Sequence, residues 1–550
     1  MALTMSQRVT IAAVAAAFAL TSAFAQSSST RTAPAAQGYR VAGTVVNATT
    51  GEPVRGAAVA LLTVEDSHAV ASTESGDDGQ FSMDSLAAAK YQLTASKRGY
   101  STGFFNQHWE YNSAIVTGPG EDTEHLVFKL SPAGGIYGAV TGDGGDPVDG
   151  ANVMLYQKPH RHVPGERIEQ VQTVQTDDTG AYEFSGLEPG DYLIAVKARP
   201  WYAMSPNLGN GPVQETEAQA TLDVAYPVTY FDSTTDEGSA SDIALATGSR
   251  VEADISLHAV QAVHLQVPAR IRPGPDGSQV PPQLHQAVFG VEVGGGEDPV
   301  GDALAQTVEL FDIAPGHYEL TQGDPPRLVD FDATSSQQVD PTEGVPTQTV
   351  SGVVQTAPGV PLAGRGVIVL QPADGTGHPI PPASIENGSF KFINVPAGTW
   401  LVEAMSQETQ MPVLAIGPRG GRAQAGNRIT VEDKPLALVV AVSAGNTRVE
   451  GFARKDGKGV AGAMVILVPK DIAAIAELAR RDQSDSDGSF ALLNVAPGDY
   501  TVVAIDDAWG MDWFDPAVIS RYLPHGMAVT VKDKSDKVQH LAEPVPVQAR

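Results

Sequence analysis

The feature that most constrains the fold of this chain is a spacing of glycine and aromatic residues that occurs four times. In each copy a turn glycine is followed two residues later by one aromatic residue and twelve residues later by another: Gly79/Phe81/Tyr91, Gly180/Tyr182/Tyr192, Gly388/Phe390/Trp400 and Gly488/Phe490/Tyr500. Repetition in a fixed register indicates a chain of similar domains, because each copy is one structural unit.

Each copy has the pattern of a series of short antiparallel strands. Upstream of the turn glycine lies a second shared pattern, with Val or Leu, then Gly, then two further apolar positions, which begins at Val54, Val148, Leu362 and Val460. Glycine accepts the positive φ of hairpin turns, and the alternation of apolar and polar residues after it buries one face of a strand. Roughly seven short strands fit in one unit, and strands in that number bury their apolar faces by pairing two sheets. The sequence therefore predicts an all-β chain, a tandem array of sandwiches.

Glycines in the first strand of each copy set the domain spacing. Gly43 and Gly138 are 95 residues apart and Gly352 and Gly451 are 99 apart, whereas 214 residues separate Gly138 from Gly352. A further unit is expected in this gap, where Tyr318 and the Pro-Gly turn before it repeat the end of the pattern. We expect sandwiches at 39–131, 132–258, 259–345 (a degenerate copy), 346–443 and 444–541, about five in all, and a tail at 542–550.

The amino terminus has the pattern of a secretory signal peptide. Arg8 precedes an apolar, alanine-rich run from Val9 to Leu20, and Ala23-Phe24-Ala25 fits an A-x-A cleavage site. Because the run is too short to span a bilayer, residues 1–25 are expected to be removed on export. Residues 26–38 follow as a flexible leader. The chain is therefore expected in the periplasm or outside the cell, without a membrane span.

Charge and cysteine content narrow the classes of function. The net charge is −29, so the surface repels the phosphates of nucleic acids and no nucleic-acid partner is expected. The chain has no cysteine, which excludes disulfides, thiolate metal sites and cysteine nucleophiles. Each sandwich must therefore be stabilised by its own core.

The sequence lacks the motifs of a zinc peptidase and of a phosphate-binding enzyme. A single H-x-x-E pattern joins His540 to Glu543, and the chain ends at Arg550, too soon for the distant second histidine of a zinc peptidase. A phosphate-binding G-x-x-x-x-G-K loop is missing. We therefore expect no catalytic residue, no metal site and no cofactor.

The repeated pattern resembles the carboxypeptidase regulatory-like domain. The resemblance rests on V-x-G-x-V, then P-V-x-G-A-x-V-x-L, then T-D-x-x-G-x-F-x-F-x-x-L-x-P-G-x-Y, and its best copy runs from Ile136 to Val196. It implies Ig-like or prealbumin-like Greek-key β-sandwiches, as in a group of exported bacterial multi-domain proteins. Domains of this family are accessory scaffolds, and the wider starch-binding-like fold group implies an association with carbohydrate.

Aromatic residues cluster in the loop after the Tyr-x-x-x-Ala strand in three of the units. They are Trp109 and Tyr111 in the first unit, Trp201 and Tyr202 in the second, and Trp509, Trp513 and Phe514 in the fifth. Flat aromatic faces stack on sugar rings, so these residues are candidate ligand-binding residues. The alternative is that they cover the core of their own domain or fill a joint between domains.

The predicted function is that of a non-catalytic, exported binding or scaffold protein at the cell periphery, with polysaccharide as its partner. The alternative is a structural or protein–protein interaction module that accompanies an envelope transporter or a secreted enzyme. The sequence leaves the ligand and the oligomeric state open.

Overall fold

The computed structural model describes residues 38–159, 168–204, 221–268, 282–293, 300–302, 307–323, 326–356, 366–373, 380–406, 409–442, 447–532 and 538–550. The predicted signal peptide, 1–25, and all of the predicted leader except Gly38 lie outside these ranges. Within them, the helices are all too short or too polar to cross a membrane. The regular structure is almost entirely β-strand, as the repeated spacing predicts.

The first sandwich has eight strands: β1 (Tyr39–Asn47), β2 (Ala58–Thr63), β3 (Ala69–Glu74), β4 (Gln80–Leu86), β5 (Lys90–Ser96), β6 (Gly103–Phe104), β7 (Ile115–Val116) and β8 (Leu126–Leu130). One sheet has the order β4-β1-β8, and the other has the order β3-β2-β5-β6 with β7 also paired to β5. Strand β1 runs antiparallel to β4 and parallel to β8. Because side chains alternate along a strand, Val41, Val45 and Phe81 all reach the core between the sheets.

The second sandwich repeats this arrangement with β9 (Gly134–Thr141), β10 (Asn152–Gln157), β11 (Glu169–Gln175), β12 (Ala181–Leu187), β13 (Gly190–Lys197), β14 (Val224–Ala225), β15 (Thr229–Tyr230), β16 (Ile243–Leu245), β17 (Arg250–Glu252) and β18 (Ile255–Ser256). Its sheets are β12-β9-β17, with β18 also on β9, and β11-β10-β13-β15, with β16 also on β13. Ile136, Leu155 and Tyr192 lie in the core between them. The same sequence pattern therefore produces the same strand pairing twice.

The third sandwich has its own core, which includes Leu265, Leu310 and Tyr318. Its strands are β19 (Val260–Gln261), β20 (Val263–Pro268), β21 (Gln283–His285), β22 (Ala287–Val288), β23 (Val291–Glu292), β24 (Val300–Asp302), β25 (Thr307–Ile313), β26 (Gly316–Gly323), β27 (Pro326–Ala333) and β28 (Gln337–Gln338). One sheet is β24-β25-β20-β28, and the other begins β21-β26-β27. The β22–β23 hairpin packs Val288 against Tyr156 of the second sandwich, so these two sandwiches share a second apolar cluster.

The fourth sandwich is joined to the third through one continuous sheet. Its strands are β29 (Val345–Gln355), β30 (Gly366–Pro372), β31 (Ala383–Ile385), β32 (Ser389–Pro396), β33 (Gly398–Ser406), β34 (Thr409–Met411), β35 (Val413–Pro418), β36 (Gln424–Ala425), β37 (Arg428–Val431) and β38 (Leu436–Val442). Strand β29 pairs with β27 at its start and with β32 and β38 along the rest of its length. The second sheet is β31-β30-β33-β34, with β37 also on β33. Val350, Phe390 and Trp400 lie in the core.

The fifth sandwich has β39 (Arg448–Lys455), β40 (Lys458–Gly459), β41 (Met464–Pro469), β42 (Arg480–Gln483), β43 (Ser489–Leu492), β44 (Gly498–Asp506), β45 (Met527–Val531), β46 (Val538–His540) and β47 (Val545–Ala549), and the helices α1 (Ile475–Leu478) and α2 (Pro516–Ile519). Strand β47 lies in the segment expected to be a tail, but it pairs with β39 and β44. Its Val545 and Val547 belong to the core, so this sandwich extends beyond the expected residue 541. Short 3-10 helices occur at Asp143–Gly145, Glu237–Ser239, Pro341–Glu343, Ile472–Ala474 and Leu523–His525.

The second aromatic residue of the repeated pattern ties its strand to the preceding turn. Its ring is buried, and its polar atom donates to the carbonyl oxygen four residues earlier in all five sandwiches: Tyr91 to Ala87 (3.2 Å), Tyr192 to Glu188 (2.8 Å), Tyr318 to Ala314 (2.8 Å), Trp400 to Pro396 (3.2 Å) and Tyr500 to Ala496 (2.7 Å). A buried turn carbonyl needs such a donor, which explains why this position holds Tyr or Trp and not Phe.

A buried hydroxyl group upstream of the turn glycine closes a loop over the core in three sandwiches. The Thr176 Oγ1 accepts a hydrogen bond from the Ala151 N–H (2.8 Å) and donates to the carbonyl oxygen of Val148 (2.6 Å). Ser75 and Ser484 make the equivalent two bonds in the first and fifth sandwiches. The sequence pattern of glycines and aromatics did not reveal this position.

The first-strand glycine is required by the backbone that runs beside it. A β-carbon on Gly138 would lie 2.3 Å from the carbonyl oxygen of Ala253, and one on Gly43 would lie 2.2 Å from that of Leu126. Because no side chain fits at such a distance, glycine lets the parallel strand approach β1 and β9 closely.

Candidate functional site

Five of the seven candidate ligand-binding aromatics meet between the first and fifth sandwiches. Trp109 and Tyr111, from the loop between β6 and β7, pack in one cluster with Trp509, Trp513 and Phe514, which lie between β44 and α2. The Trp509 ring centroid lies 6.2 Å from that of Trp109 and 5.5 Å from that of Tyr111. We call this contact the closing joint; it is formed by residues 90 and 104–116 of the first sandwich and 480–489 and 508–514 of the fifth.

Arg481 lies at the centre of the closing joint, with a side chain only 5% exposed. Its guanidinium carbon lies over four aromatic rings, at centroid distances of 5.1 Å (Trp109), 4.7 Å (Tyr111), 5.6 Å (Trp509) and 5.3 Å (Trp513). Its Nη2 is 3.0 Å from Oε1 of Glu110. Ring faces attract a cation more strongly when both are desolvated, so this one side chain stabilises the contact from both sides.

Strand β42 explains how Arg481 reaches this position. Alternation sends neighbouring side chains to opposite faces, and the Arg480 Nε donates to the carbonyl oxygen of Asn494 within the fifth sandwich (3.0 Å). Arg481 therefore points to the other face, toward the first sandwich. Our sequence analysis missed this residue. Two successive arginines in a strand were the available signal, because one of the two must face inward.

The turn after β42 is hydrogen-bonded to the first sandwich through both main-chain and side-chain groups. Four bonds connect them: Ala114 N–H to Asp485 Oδ1 (2.8 Å), Ser486 N–H to Ala114 O (3.0 Å), Val116 N–H to Ser486 Oγ (2.8 Å) and Ser113 Oγ to Ser484 O (2.8 Å). Three of them use main-chain N–H groups of the joint, so the fit depends on backbone position as well as on side-chain type.

Gln483 is enclosed between the two sandwiches, at 1% exposure. Its Nε2 donates to the carbonyl oxygen of Asn106 (2.6 Å) and to Ser113 Oγ (2.9 Å). Its Oε1 lies 2.9 Å from Nδ1 of His108, whose ring is stacked on Trp509 with 4.9 Å between centroids. The amide thus connects the polar part of the joint to its aromatic part.

Two ion pairs cross the closing joint in opposite directions. Arg481 of the fifth sandwich pairs with Glu110 of the first, and Lys90 of the first pairs with Asp485 of the fifth at 2.7 Å. Burial raises the pKa of Asp485, and the charge of Lys90 opposes this rise. Burial also raises the pKa of Asp482, to about 7, against hydrogen bonds from the backbone that lower it.

Trp201 and Tyr202 lie away from the joint, on the second sandwich. They follow β13 in a turn closed by the Ala203 N–H, which donates to the carbonyl oxygen of Pro200 (3.0 Å). Trp201 is 89% exposed, and its ring meets Tyr202 edge-on, with 5.6 Å between centroids. Burial, and then the neighbouring Tyr202, raise the pKa of Tyr226 to about 12.

The described residues offer groups that bind but no assembled catalytic or metal centre. They contain no group of three or more His, Cys, Asp or Glu side chains placed to hold a metal ion. His540 of the H-x-x-E pattern is exposed and lies 3.4 Å from Glu450 on the adjacent strand β39. The interactions at the joint are ring stacking, cation–π contacts and hydrogen bonds. Whether the seven aromatics bind a ligand stays a prediction.

Comparison with solved structures gives likenesses of low identity. The chain is similar to the Bacillus anthracis TIE protein, at 10% identity and a TM-score of 0.15, over 90% of this chain and 68% of that one. It is also similar to the minor pilin GBS52 of Streptococcus agalactiae, at 17% identity and a TM-score of 0.19, over 40% of this chain and 96% of the pilin. The shaft pilin SpaA of Lactobacillus rhamnosus GG gives 12% identity and a TM-score of 0.19, over 40% and 97%. Likenesses at this level say nothing about what this chain binds.

The family comparison is specific to the first part of the chain. No curated protein matches this chain. Residues 40–130 and 135–223 match the carboxypeptidase regulatory-like domain. Both segments contain the buried hydroxyl and the tyrosine hydrogen bond described above. The chain is therefore a repeat protein that contains carboxypeptidase regulatory-like domains.

Proposed function

We propose that this chain is a non-catalytic, exported scaffold that holds binding surfaces at the cell periphery, with polysaccharide as its ligand. Two properties support a scaffold. Each of the five sandwiches has a core of its own, and the net charge of −29 favours solubility.

The exposure of Trp201 is the observation that carries the ligand proposal. Of the five tryptophans, all of them among the described residues, Trp400, Trp509 and Trp513 are buried and Trp109 lies in the closing joint. Trp201 alone presents an open ring face.

The surroundings of Trp201 suit a sugar. The edge-on contact with Tyr202 orients the indole ring. An open ring face beside a tyrosine matches the apolar C–H face and the polar edge of a pyranose. We assign the aromatics of the joint a structural role instead, because their faces are covered by Arg481 and by each other.

The proposal is tested with the full chain on soluble polysaccharides, by affinity gel and glycan array. Trp201→Ala should weaken binding roughly tenfold or more, the effect of losing about 1.5 kcal/mol of stacking. Phe452→Ala is the matched control, because Phe452 is an exposed aromatic residue (41%) on another sandwich. Failure of the unmodified chain to bind any glycan would refute the ligand assignment, and turnover of glycoside or peptide substrates would refute the non-catalytic role.

A second candidate is a module that binds a protein of the cell envelope. The closing joint favours it, because the loop at 104–116 already recognises a protein turn through main-chain groups. Cross-linking in intact cells distinguishes the two candidates: a specific envelope protein linked to a chain that binds no glycan supports the second.

A further inference from the structure

The closing joint has the composition of an interface between separate proteins. Its centre holds Trp, Tyr and Arg side chains, the residue types that dominate the binding energy of protein–protein interfaces. Around this centre lie hydrogen bonds and ion pairs, as in an interface rim. The first sandwich supplies Lys90 and Glu110, and the fifth supplies Asp485 and Arg481. The charges are therefore complementary across the joint.

Each of the two sandwiches has a core that contains no residue of the other. The core of the first sandwich, with Val45 and Phe128, lies between its own two sheets. The core of the fifth, with Val465 and Phe490, does the same. The aromatic residues of the joint form a different cluster on the outer face of β41 and β44. The joint can therefore open while both sandwiches stay folded.

The two faces lie at opposite ends of the chain. Ser113 and Ser484, which share a hydrogen bond, are 371 residues apart, and three sandwiches lie between them. A contact between two different patches of one chain can form within that chain or, with the same atoms, between two chains. If the first sandwich of each chain bound the fifth sandwich of the other, both joints would form and the two chains would make a closed dimer.

The face on the first sandwich discriminates between copies of the repeat. The second sandwich has a similar Gln-Thr-Asp turn, but Thr173 stands where the fifth sandwich has Arg481, and Ala181 stands where it has Ser489. Lys90 donates to Ser489 Oγ at 2.8 Å, so the second sandwich lacks two of the partners that the face contacts. The fitting partner is a fifth sandwich.

We propose that the closing joint also forms between two copies of this chain, giving a reciprocal dimer in which each first sandwich receives the fifth sandwich of the other copy. Closure within one chain competes with the same contact between two chains, and the balance shifts toward the contact between chains as the protein concentration rises.

The test uses two full-length variants, each with one face blocked. Ser113→Arg places a long side chain in the buried centre of the first face, where Ser113 is fully enclosed. Ser486→Arg blocks the turn of the fifth sandwich. Neither variant can close on itself or pair with its own kind, so each should be monomeric and more extended than the unmodified chain in small-angle X-ray scattering.

An equimolar mixture of the two variants retains one intact pair of faces, the fifth sandwich of one and the first sandwich of the other. We expect a 1:1 heterodimer by native mass spectrometry and by light scattering after gel filtration. Matched controls are Thr102→Arg, at an exposed site before the same loop, and Asp178→Arg, at the position of the second sandwich equivalent to Ser486. Each control keeps both faces intact, so their mixture should show the same concentration-dependent balance of closed monomers and reciprocal dimers as the unmodified chain.

Two results would overturn the proposal: a mixture that stays monomeric at about 1 mM, or a blocked variant as compact as the unmodified chain. If Ser113→Arg unfolds the first sandwich, Glu110→Arg replaces it. Glu110 is 59% exposed and faces Arg481, so this change introduces repulsion at the joint without touching the core.

Discussion

Arg481 and Glu110 form an ion pair of 3.0 Å although 371 residues separate them in the sequence. The guanidinium group of this pair also contacts four aromatic rings from two sandwiches. The loop aromatics of the first and fifth sandwiches thus hold the two ends of the chain together.

Replacing Arg481 should open the closing joint. Arg481→Gln removes the cation from four rings and leaves Glu110 without its partner, so we expect a loss of roughly 2–4 kcal/mol from the joint. The radius of gyration should rise, as measured by small-angle X-ray scattering. Arg454→Gln is the control, because Arg454 lies over one exposed ring, Phe452, at 5.2 Å. A variant at Arg481 that stays as compact as its control would show that the cation is dispensable.

Asp482 should make the chain less stable as the pH rises from about 4 to 7. Burial raises its pKa in the folded protein from 3.8 to about 7. Within this window the folded state keeps a proton that the unfolded state has released. The stabilisation is complete below the unfolded pKa and is lost as the pH approaches 7, at up to roughly 1.4 kcal/mol per pH unit.

Urea unfolding of Asp482→Asn across this pH window provides the measurement. The variant should have a flatter dependence of the free energy of unfolding on pH than the unmodified chain. Asp178→Asn, at an exposed turn residue, should leave the dependence unchanged. Equal slopes for Asp482→Asn and the unmodified chain would mean that Asp482 titrates normally.

Removing the buried hydroxyl of the second sandwich should destabilise it. Thr176→Val keeps the shape but leaves the Ala151 N–H and the Val148 carbonyl oxygen without their partner, at a cost of about 1–3 kcal/mol. Thr173→Val, on the exposed part of β11, should have little effect. Chemical denaturation of both variants compares them directly, and equal midpoints would contradict the role given to Thr176.

A methyl group on the first-strand glycine should disrupt the parallel pairing beside it. Gly138→Ala would put a β-carbon 2.3 Å from the carbonyl oxygen of Ala253, and the backbone shift required costs about 3 kcal/mol. Gly118→Ala has no atom within 4 Å of the new carbon and serves as the control. Thermal unfolding should show a lower transition for the first variant alone; no difference would mean that the strands adjust freely.

Much of the fold was predictable because the repeated residues act locally. A tyrosine that donates a hydrogen bond to the turn four residues earlier is recognisable in the sequence, because both partners lie in one short segment. Tyr318 makes this bond even in the degenerate third copy. The first-strand glycines mark the parallel contact in the same way. These short-range constraints predicted the all-β repeat of sandwiches, which the structure confirms.

The closing joint was not predictable in the same way. Trp201 and Trp509 occupy equivalent loops and look alike in the sequence, yet one is 89% exposed and the other 6%. Part of the cover over Trp509 comes from a sandwich some 370 residues away, and no periodic pattern in the sequence indicates such a contact. For the same reason the sequence did not indicate that β47 completes the fifth sandwich.

Strand β29 has a mechanical consequence for the whole chain. Its first residues extend the sheet of the third sandwich and its remaining residues belong to the fourth, so a backbone ladder fixes the angle between the two. Rotation there would require the hydrogen bonds of this ladder to break. The three residues 131–133 that connect β8 to β9 are bonded to the first sandwich at Gly99 and Ser101, so they move with it. If the closing joint opened, the first sandwich would therefore move away from the fifth, whereas the third and fourth sandwiches would move together as one rigid unit.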